Sequence, residues 1–320
     1  MTHTMTVRFW GARGSHPVSG AAYLRYGGNT PCVEIQAGQH TIILDAGTGI
    51  IQLGKDMLAR AKASGAGVEA TLLFSHMHHD HTQGFPFFTP AYIGSSHLRI
   101  FGPGIFEKDL EETLAKTMLP PAFPVSLAEL PSLREISSFR EADVLYLGAA
   151  VGGALLRNRY HPDADTLMPD ADTVCIRTLR SFAHPDDVLI YRIEWRGRSV
   201  VYATDTEGYV NGDQRLAAFA QGADVLIHDA QYTEEHYMGQ MPGFTATQGF
   251  GHSTAPMACG VARAAQVRQL VLFHHEPQYR DEIIADIETK AQRLFPNTVS
   301  AYEGLTIPLV AAPAEAEKSP

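Results

Sequence analysis

Residues 74 to 84 read FSHMHHDHTQG, with four histidines and one aspartate between positions 76 and 81. The chain holds 15 histidines in 320 residues, and a solvated loop has no need of such crowding. Imidazole and carboxylate together suit zinc, and also manganese or iron. In His76-x-His78 an extended or tightly turned chain can aim both rings at one ion. Asp80 and His81 fall on the next turn and can serve a second ion about 3.5–4 Å away. Two cations so close repel, so a bridging anion is needed, and a carboxylate from a distant segment suits that role.

The rest of the chain offers partners at the ends of apolar runs. IILDAGTG delivers Asp45, LRSFAHP delivers His184 and VVYATDTEG delivers Asp205. VLIHDAQY delivers His228 and Asp229, and LVLFHHEP delivers His274 and His275. In sheets covered by helices, sites gather where strands end. Asp205 is the expected bridge, His184 completes the set with His76 and His78, and a histidine at 274–275 completes the set with Asp80 and His81. His161 in RYHPDAD is the rival to His184, but its acidic surroundings read as an exposed loop. Adjacent strand residues face opposite ways, so only one of His274 and His275 can reach the site.

Those runs imply the elements that carry them. TVRFWG reads as a strand before a glycine turn, and TPCVEIQAG with HTIILDAG reads as a hairpin about Gly38. IIQLGKDMLARAKASG has helical spacing with Gly65 as its stop. VEATLLFSH is a buried strand entering the histidine cluster. From about 85 to 140 the text is rich in Pro and Phe, with HLRIFGP as a strand and FEKDLEETLAKTM as a helix, and it reads as an insert near the site. ADVLYLG, DTVCIRTLRSFAH, VLIYRIEWRGRSVVYATDT and ADVLIHDAQY are strands, the third turning at WRGRS. TAPMACGVARAAQVRQ is a helix capped by Ser253 or Thr254, LVLFHH a strand, and YRDEIIADIETKAQRLF a helix. The expectation is a single α/β (α+β) domain over 1–310 with a flexible tail at 311–320.

Hydrophobic residues make up 45 % and charged residues 19 %, which is ordinary for a compact protein. The net charge of −10 provides no global basic field for nucleic acid. No apolar run approaches the roughly 20 residues that span a bilayer, and the N-terminus does not read as a signal peptide. Cys32, Cys175 and Cys259 are scattered and fit reduced thiols in the cytoplasm.

His76-Met77-His78-His79-Asp80-His81 resembles the H-x-H-x-D-H signature of the metallo-β-lactamase superfamily, and His184, Asp205 and His274 follow in that family's order. The resemblance covers roughly residues 6 to 310. It implies a four-layer αββα sandwich, selects His274 over His275, and makes Asp45 of LDAGTG a prop for the histidine loop. A glycine-rich turn followed by YGGNTPCVEI, together with IHDAQY and GHSTAPMACGVA, looks like the branch of RNase Z and PhnP-type phosphodiesterases. In that branch an acidic residue and a histidine from these places assist the leaving group, which gives Asp229 and His252 here. The branch usually carries glutamate where this chain has Asp229.

The expected chemistry is hydrolysis by two divalent ions, zinc first, through a bridging hydroxide steered by Asp80, with His252 held by Asp229. The expected ligands are His76, His78, Asp80, His81, His184, Asp205 and His274. The expected substrate is a small nucleotide-type or cyclic phosphodiester. The alternative is a C–O, C–N or C–S bond, as in lactonase, β-lactamase or thioesterase relatives. No long Gly/Pro-rich arm resembles the tRNA-clamping arm of RNase Z, so long nucleic acid is not expected as a partner. A membrane is not expected either, and a homodimer is compatible with the chain.

Overall fold

The computed structural model describes residues 4–104, 109–140, 142–161, 169–208 and 212–311. Most of the expected tail at 311–320, and the first turn of the helix expected at FEKDLEETLAKTM, lie outside them. Six strands of the first half are β1 (Thr4–Gly11), β2 (Cys32–Ala37), β3 (His40–Leu44), β4 (Glu69–Leu73), β5 (His97–Pro103) and β6 (Leu133–Phe139). Eight follow: β7 (Asp143–Gly148), β8 (Gly153–Asn158), β9 (Val174–Ser181), β10 (Val188–Trp195), β11 (Arg198–Ala203), β12 (Val225–Asp229), β13 (Gln269–Phe273) and β14 (Thr298–Ser300). β15 (Thr306–Val310) closes the series.

These strands form two sheets, ordered β15-β1-β2-β3-β4-β5-β6 and β14-β13-β12-β11-β10-β9-β7-β8. Each sheet has a parallel half, β3 to β6 in one and β11 to β14 in the other. Alternation along the strands builds the layers. In β12 and β13, Val225, Ile227, Val271 and Phe273 point between the sheets and meet Val7, Val33, Ile42 and Leu73. Leu226, Leu270 and Leu272 point outward under Leu216, Ala258 and Ile284. Those three sit on α4 (Gln214–Phe219), α6 (Ala255–Ala264) and α7 (Asp281–Leu294). Leu72 and Phe74 point outward on the other side, under Leu53 of α1 (Gly49–Ser64) and Leu114 of α3 (Leu110–Lys116). The result is the expected αββα sandwich.

Local chemistry explains the joints. Gly38, at φ +60°, turns the β2–β3 hairpin, and Gly65, at φ +71°, ends α1 in the left-handed conformation that a side chain disfavours. Arg196 and Gly197, both at positive φ, make the two-residue turn between β10 and β11. Neither hydroxyl expected to cap α6 does so. Thr254 occupies the cap position without a side-chain bond, and Ser253 Oγ instead donates to the Thr206 carbonyl at 2.6 Å. Phe85 and Phe88 are core residues, but Phe87 is exposed and packs edge-on against Phe123. β5 and β6 lie within the segment expected as an insert and extend the first sheet. No helix among the described residues is long and apolar enough to cross a membrane.

Candidate metal centre

The carboxyl ends of the two parallel halves meet at one end of the sandwich. β3 delivers Asp45 and β4 delivers His76 and His78, followed by α2 (His79–Thr82), which carries Asp80 and His81. The other sheet delivers His184 between β9 and β10, Asp205 after β11 and His274 after β13. Asp45, Asp205 and His274 each follow a strand with φ between +48° and +62°. Such backbone costs about 1–3 kcal/mol per non-glycine residue and concentrates at functional sites. Here it turns each side chain out of the pleat toward the gap between the sheets.

Two clusters result. His76, His78 and His184 form one, and Asp80, His81, Asp205 and His274 form the other. Asp205 faces both. Its Oδ2 lies 3.6 Å from His76 Nε2 and 3.9 Å from His184 Nε2, and its Oδ1 lies 3.2 Å from His81 Nε2 and 3.4 Å from His274 Nε2. In the second cluster three further edges measure 3.3 Å (His81 to His274), 3.4 Å (His81 to Asp80) and 3.1 Å (His274 to Asp80). A tetrahedral cation with ligands at about 2.0–2.1 Å requires ligand separations of about 3.3–3.4 Å. The donors therefore already stand where one ion would hold them. His76 Nε2 is buried with no hydrogen-bond partner. An unpaired buried polar atom costs about 1–3 kcal/mol, and a cation in that gap removes the cost.

The far side of each ring is tied down, as metal-binding imidazoles require. Ser75 Oγ lies 3.0 Å from His76 Nδ1, Asp45 Oδ2 2.8 Å from His81 Nδ1, Gln231 Oε1 3.0 Å from His274 Nδ1, and the Gly251 carbonyl 3.1 Å from His184 Nδ1. His78 is reversed, with Nδ1 3.0 Å from His184 Nε2 and Nε2 3.7 Å from the Asp186 carboxylate. Asp45 is wholly buried and takes its bonds from Ser75, His81 and Tyr202.

Burial lowers the pKa of His184 to about 4 and that of His76 well below the usual imidazole range, so both rings are neutral near pH 7. Burial opposes ionisation of Asp80 and Asp205, but the surrounding imidazoles outweigh it and hold both well below the usual carboxylate range. Neutral imidazoles and ionised carboxylates are the ligating forms, and His81 departs from them: Asp205, Asp80 and Asp45 outweigh its burial and raise it well above the usual imidazole range, so an arriving cation would displace its proton.

Beside the clusters, His252 Nδ1 donates to Asp229 Oδ2 at 2.7 Å, and its ring stacks on that of His274 at 4.9 Å. Burial would lower the His252 pKa, but Asp229 outweighs it and raises it to about 9. Asp229 Oδ1 also accepts from the Ser253 and Gln231 amides. Other histidines stay outside the clusters. His161 is exposed on a turn, and His275 is buried with Nε2 on the Ala301 carbonyl. His228 Nδ1 lies against the Asp229 carbonyl.

Sequence patterns did not mark Gln231, Ser75 or Glu207. Glu207 accepts from Tyr237 Oη and from the amides of Gly249 and Gly251, and so fixes the loop that carries His252. Its only signal was position, two residues after Asp205. Ser15, at φ +58°, donates its amide to Asp80 Oδ2 at 2.8 Å.

The fold and these clusters define a metal-dependent hydrolase on an αββα scaffold. The family model described as beta-lactamase superfamily domain matches residues 40–275, and the chain belongs to that superfamily. Ribonuclease Z of Bacillus subtilis is 25 % identical over 255 residues, which cover 74 % of this chain and 80 % of that protein. Ribonuclease Z of Metallosphaera sedula is 29 % identical over 70 % of this chain and 76 % of its own. The crystal structure of the metallo-β-lactamase fold protein YhfI from Bacillus subtilis covers 96 % of this chain and 100 % of its own, at a TM-score of 0.64 and 18 % identity. A diphosphatase from the PhnP family covers 95 % and 97 % at a TM-score of 0.57 and 14 % identity.

One expectation is overturned. Long nucleic acid cannot be set aside as a partner, because relatives named as ribonucleases match across some three quarters of the chain. Net charge is a global quantity, and a local site that gathers cations can take a phosphate on an acidic protein.

Proposed function

We propose that the chain is a dinuclear metal-dependent phosphodiesterase acting on nucleotide-type phosphodiesters, with RNA as well as small and cyclic nucleotides as candidate substrates. The observation that carries this reading is the Asp229–His252 pair set against His274 at the edge of two clusters that share Asp205. Acyl-transfer relatives of this fold do not need such a pair.

His76, His78, His184 and Asp205 would hold one ion, and Asp80, His81, His274 and Asp205 the other, with zinc first among the metals that this N/O set suits. Bound divalent ions lower the pKa of water and take up charge from a phosphoryl oxygen. Asp80, fixed by the Ser15 amide, accepts a hydrogen bond from the attacking water and sets its direction. The ligand atoms of His184, Asp205 and His252 lie within 4.8 Å of one another, so His252 can reach a leaving oxygen bound there. Asp229 holds Nδ1–H of His252, which leaves Nε2–H to protonate the departing alkoxide. The free thiols of Cys32, Cys175 and Cys259 suit a cytoplasmic location.

A substrate panel tests the reading: bis-p-nitrophenyl phosphate, a 2′,3′-cyclic nucleotide, a short RNA, nitrocefin and a lactone. Turnover of phosphodiesters is expected, and faster turnover of nitrocefin or the lactone rejects the proposal. His252→Ala should lower kcat by about 10²–10⁴-fold, the usual worth of a general acid, with metal content unchanged. Normal turnover in that variant removes His252 from the mechanism.

A further inference from the structure

Three phenylalanines are exposed among the described residues: Phe87, Phe182 and Phe250. Two of them occupy matching places beside the metal clusters. Phe182 stands two residues before His184, and Phe250 two residues before His252. The loops that carry them are tied together at the site, because His184 Nδ1 bonds to the Gly251 carbonyl. The His184 and His252 rings meet edge-on at 5.0 Å. Glu207 joins the loops a second time, receiving the Gly249 and Gly251 amides while its own amide donates to the Ala183 carbonyl.

Phe182 is 68 % exposed and lines an open cleft of about 480 Å³ with Ala183, His184, Pro185, Glu207, Gly208 and Gly249. The cleft reaches the first cluster through His184. Among the described residues no lysine or arginine lines it, and the one carboxylate there, Glu207, repels anions. A phosphate therefore belongs on the clusters and not in this cleft, which suits the uncharged, flat part of a substrate. An aromatic ring kept in water beside a phosphate site gives up its own burial, and stacking on a base regains it.

We propose that Phe182, with Phe250 on the loop tied to its own, forms a stacking platform for the nucleobase next to the scissile phosphate. The platform makes nucleoside phosphodiesters preferred over base-free ones. Stacking against a π-face tolerates every base, so the platform selects for the presence of a base and not for its identity. This subsite rests on the phosphodiesterase reading for its biological use, but its test does not.

The test is equilibrium binding to the metal-loaded protein of two ligands that share a phosphate and differ by a base, AMP and ribose 5-phosphate. The wild-type protein should bind AMP about ten-fold or more tightly than ribose 5-phosphate, in line with the energy of one stacked base. Phe182→Ala should reduce that ratio toward one without changing ribose 5-phosphate affinity, and Phe182→Trp should retain it. Phe250→Ala should reduce the ratio part-way. Thermal unfolding should be unchanged in all three, since both rings are exposed. Equal affinity of the wild-type protein for the two ligands, absence of binding by both, or a base preference that survives Phe182→Ala overturns the platform. Equal loss of both ligands in Phe182→Ala also overturns it, since that marks a structural role. A base preference in a protein that hydrolyses no phosphodiester would reject the proposed activity and leave the platform standing; hydrolysis without a base preference would do the reverse.

Discussion

One oxygen of Asp45, Oδ2, accepts from Ser75 Oγ, His81 Nδ1 and Tyr202 Oη, at 2.7, 2.8 and 2.8 Å. Asp45 lies in no donor cluster, yet it orients His81 directly and His76 through Ser75. Asp45→Asn places an amide donor among three donors in a dry pocket. It should cost about 3 kcal/mol of stability, the loss seen when one partner of a buried pair is removed, and should lower metal content. Tyr202→Phe removes only one of the three donors and should cost about 1 kcal/mol while both ions remain. Elemental analysis with thermal unfolding checks both, and an Asp45→Asn protein with full metal content and an unchanged Tm refutes the supporting role. At this scale the sequence was informative where residue type restricts chemistry. Four histidines and an aspartate within six positions have few other uses, and His184 and Asp205 announce themselves at strand ends. Gln231, Ser75 and Glu207 could not be read, because any polar residue in a loop looks the same until its partner from another strand is known.

The loop Gly249-Phe250-Gly251-His252 is held by Glu207 from one side and by His184 from the other. Gly251 sits at φ +89°, and a Cβ there would collide with the His184 ring. Gly251→Ala should therefore displace His184 and deplete the ion proposed for His76, His78 and His184, with activity falling by about two orders of magnitude or more. Metal content near one ion per chain would support this, and two ions with normal turnover would refute it. Glu207→Ala keeps the glycine and frees the loop, so amide exchange over 247–252 should rise while metal content holds; unchanged exchange would show that Glu207 does not hold the loop. Elements with strong periodicity, such as α1, α7 and the buried strands, were readable from spacing. β8, β14 and β15 were not. β8 is half-buried along its whole length, so its polar and apolar residues do not alternate, and β14 has only three residues. β15 is an edge strand whose place beside β1 is a long-range pairing with no local signal.

The clusters are the seam of the molecule, because neither sheet owns them. His76, His78, Asp80 and His81 come from the sheet of β4, while His184, Asp205 and His274 come from the other sheet. A bound ion therefore cross-links the layers, and ions that bind only the folded chain stabilise it by mass action. At free metal about a thousand-fold above Kd, each site contributes about 4 kcal/mol. With the unfolding entropy scaled to 320 residues, 1 kcal/mol moves Tm by about 1.5 °C, so stripping one ion should lower Tm by roughly 6 °C. Chelation followed by elemental analysis and calorimetry measures this, and readdition of zinc should restore both Tm and hydrolysis. The His76→Ala variant separates packing from metal binding. It should have a low Tm that chelator barely changes further at the first site, whereas the wild-type protein loses stability in proportion to the metal removed. A wild-type Tm that stays constant while both ions leave would show that the two sheets are held by their apolar interface alone.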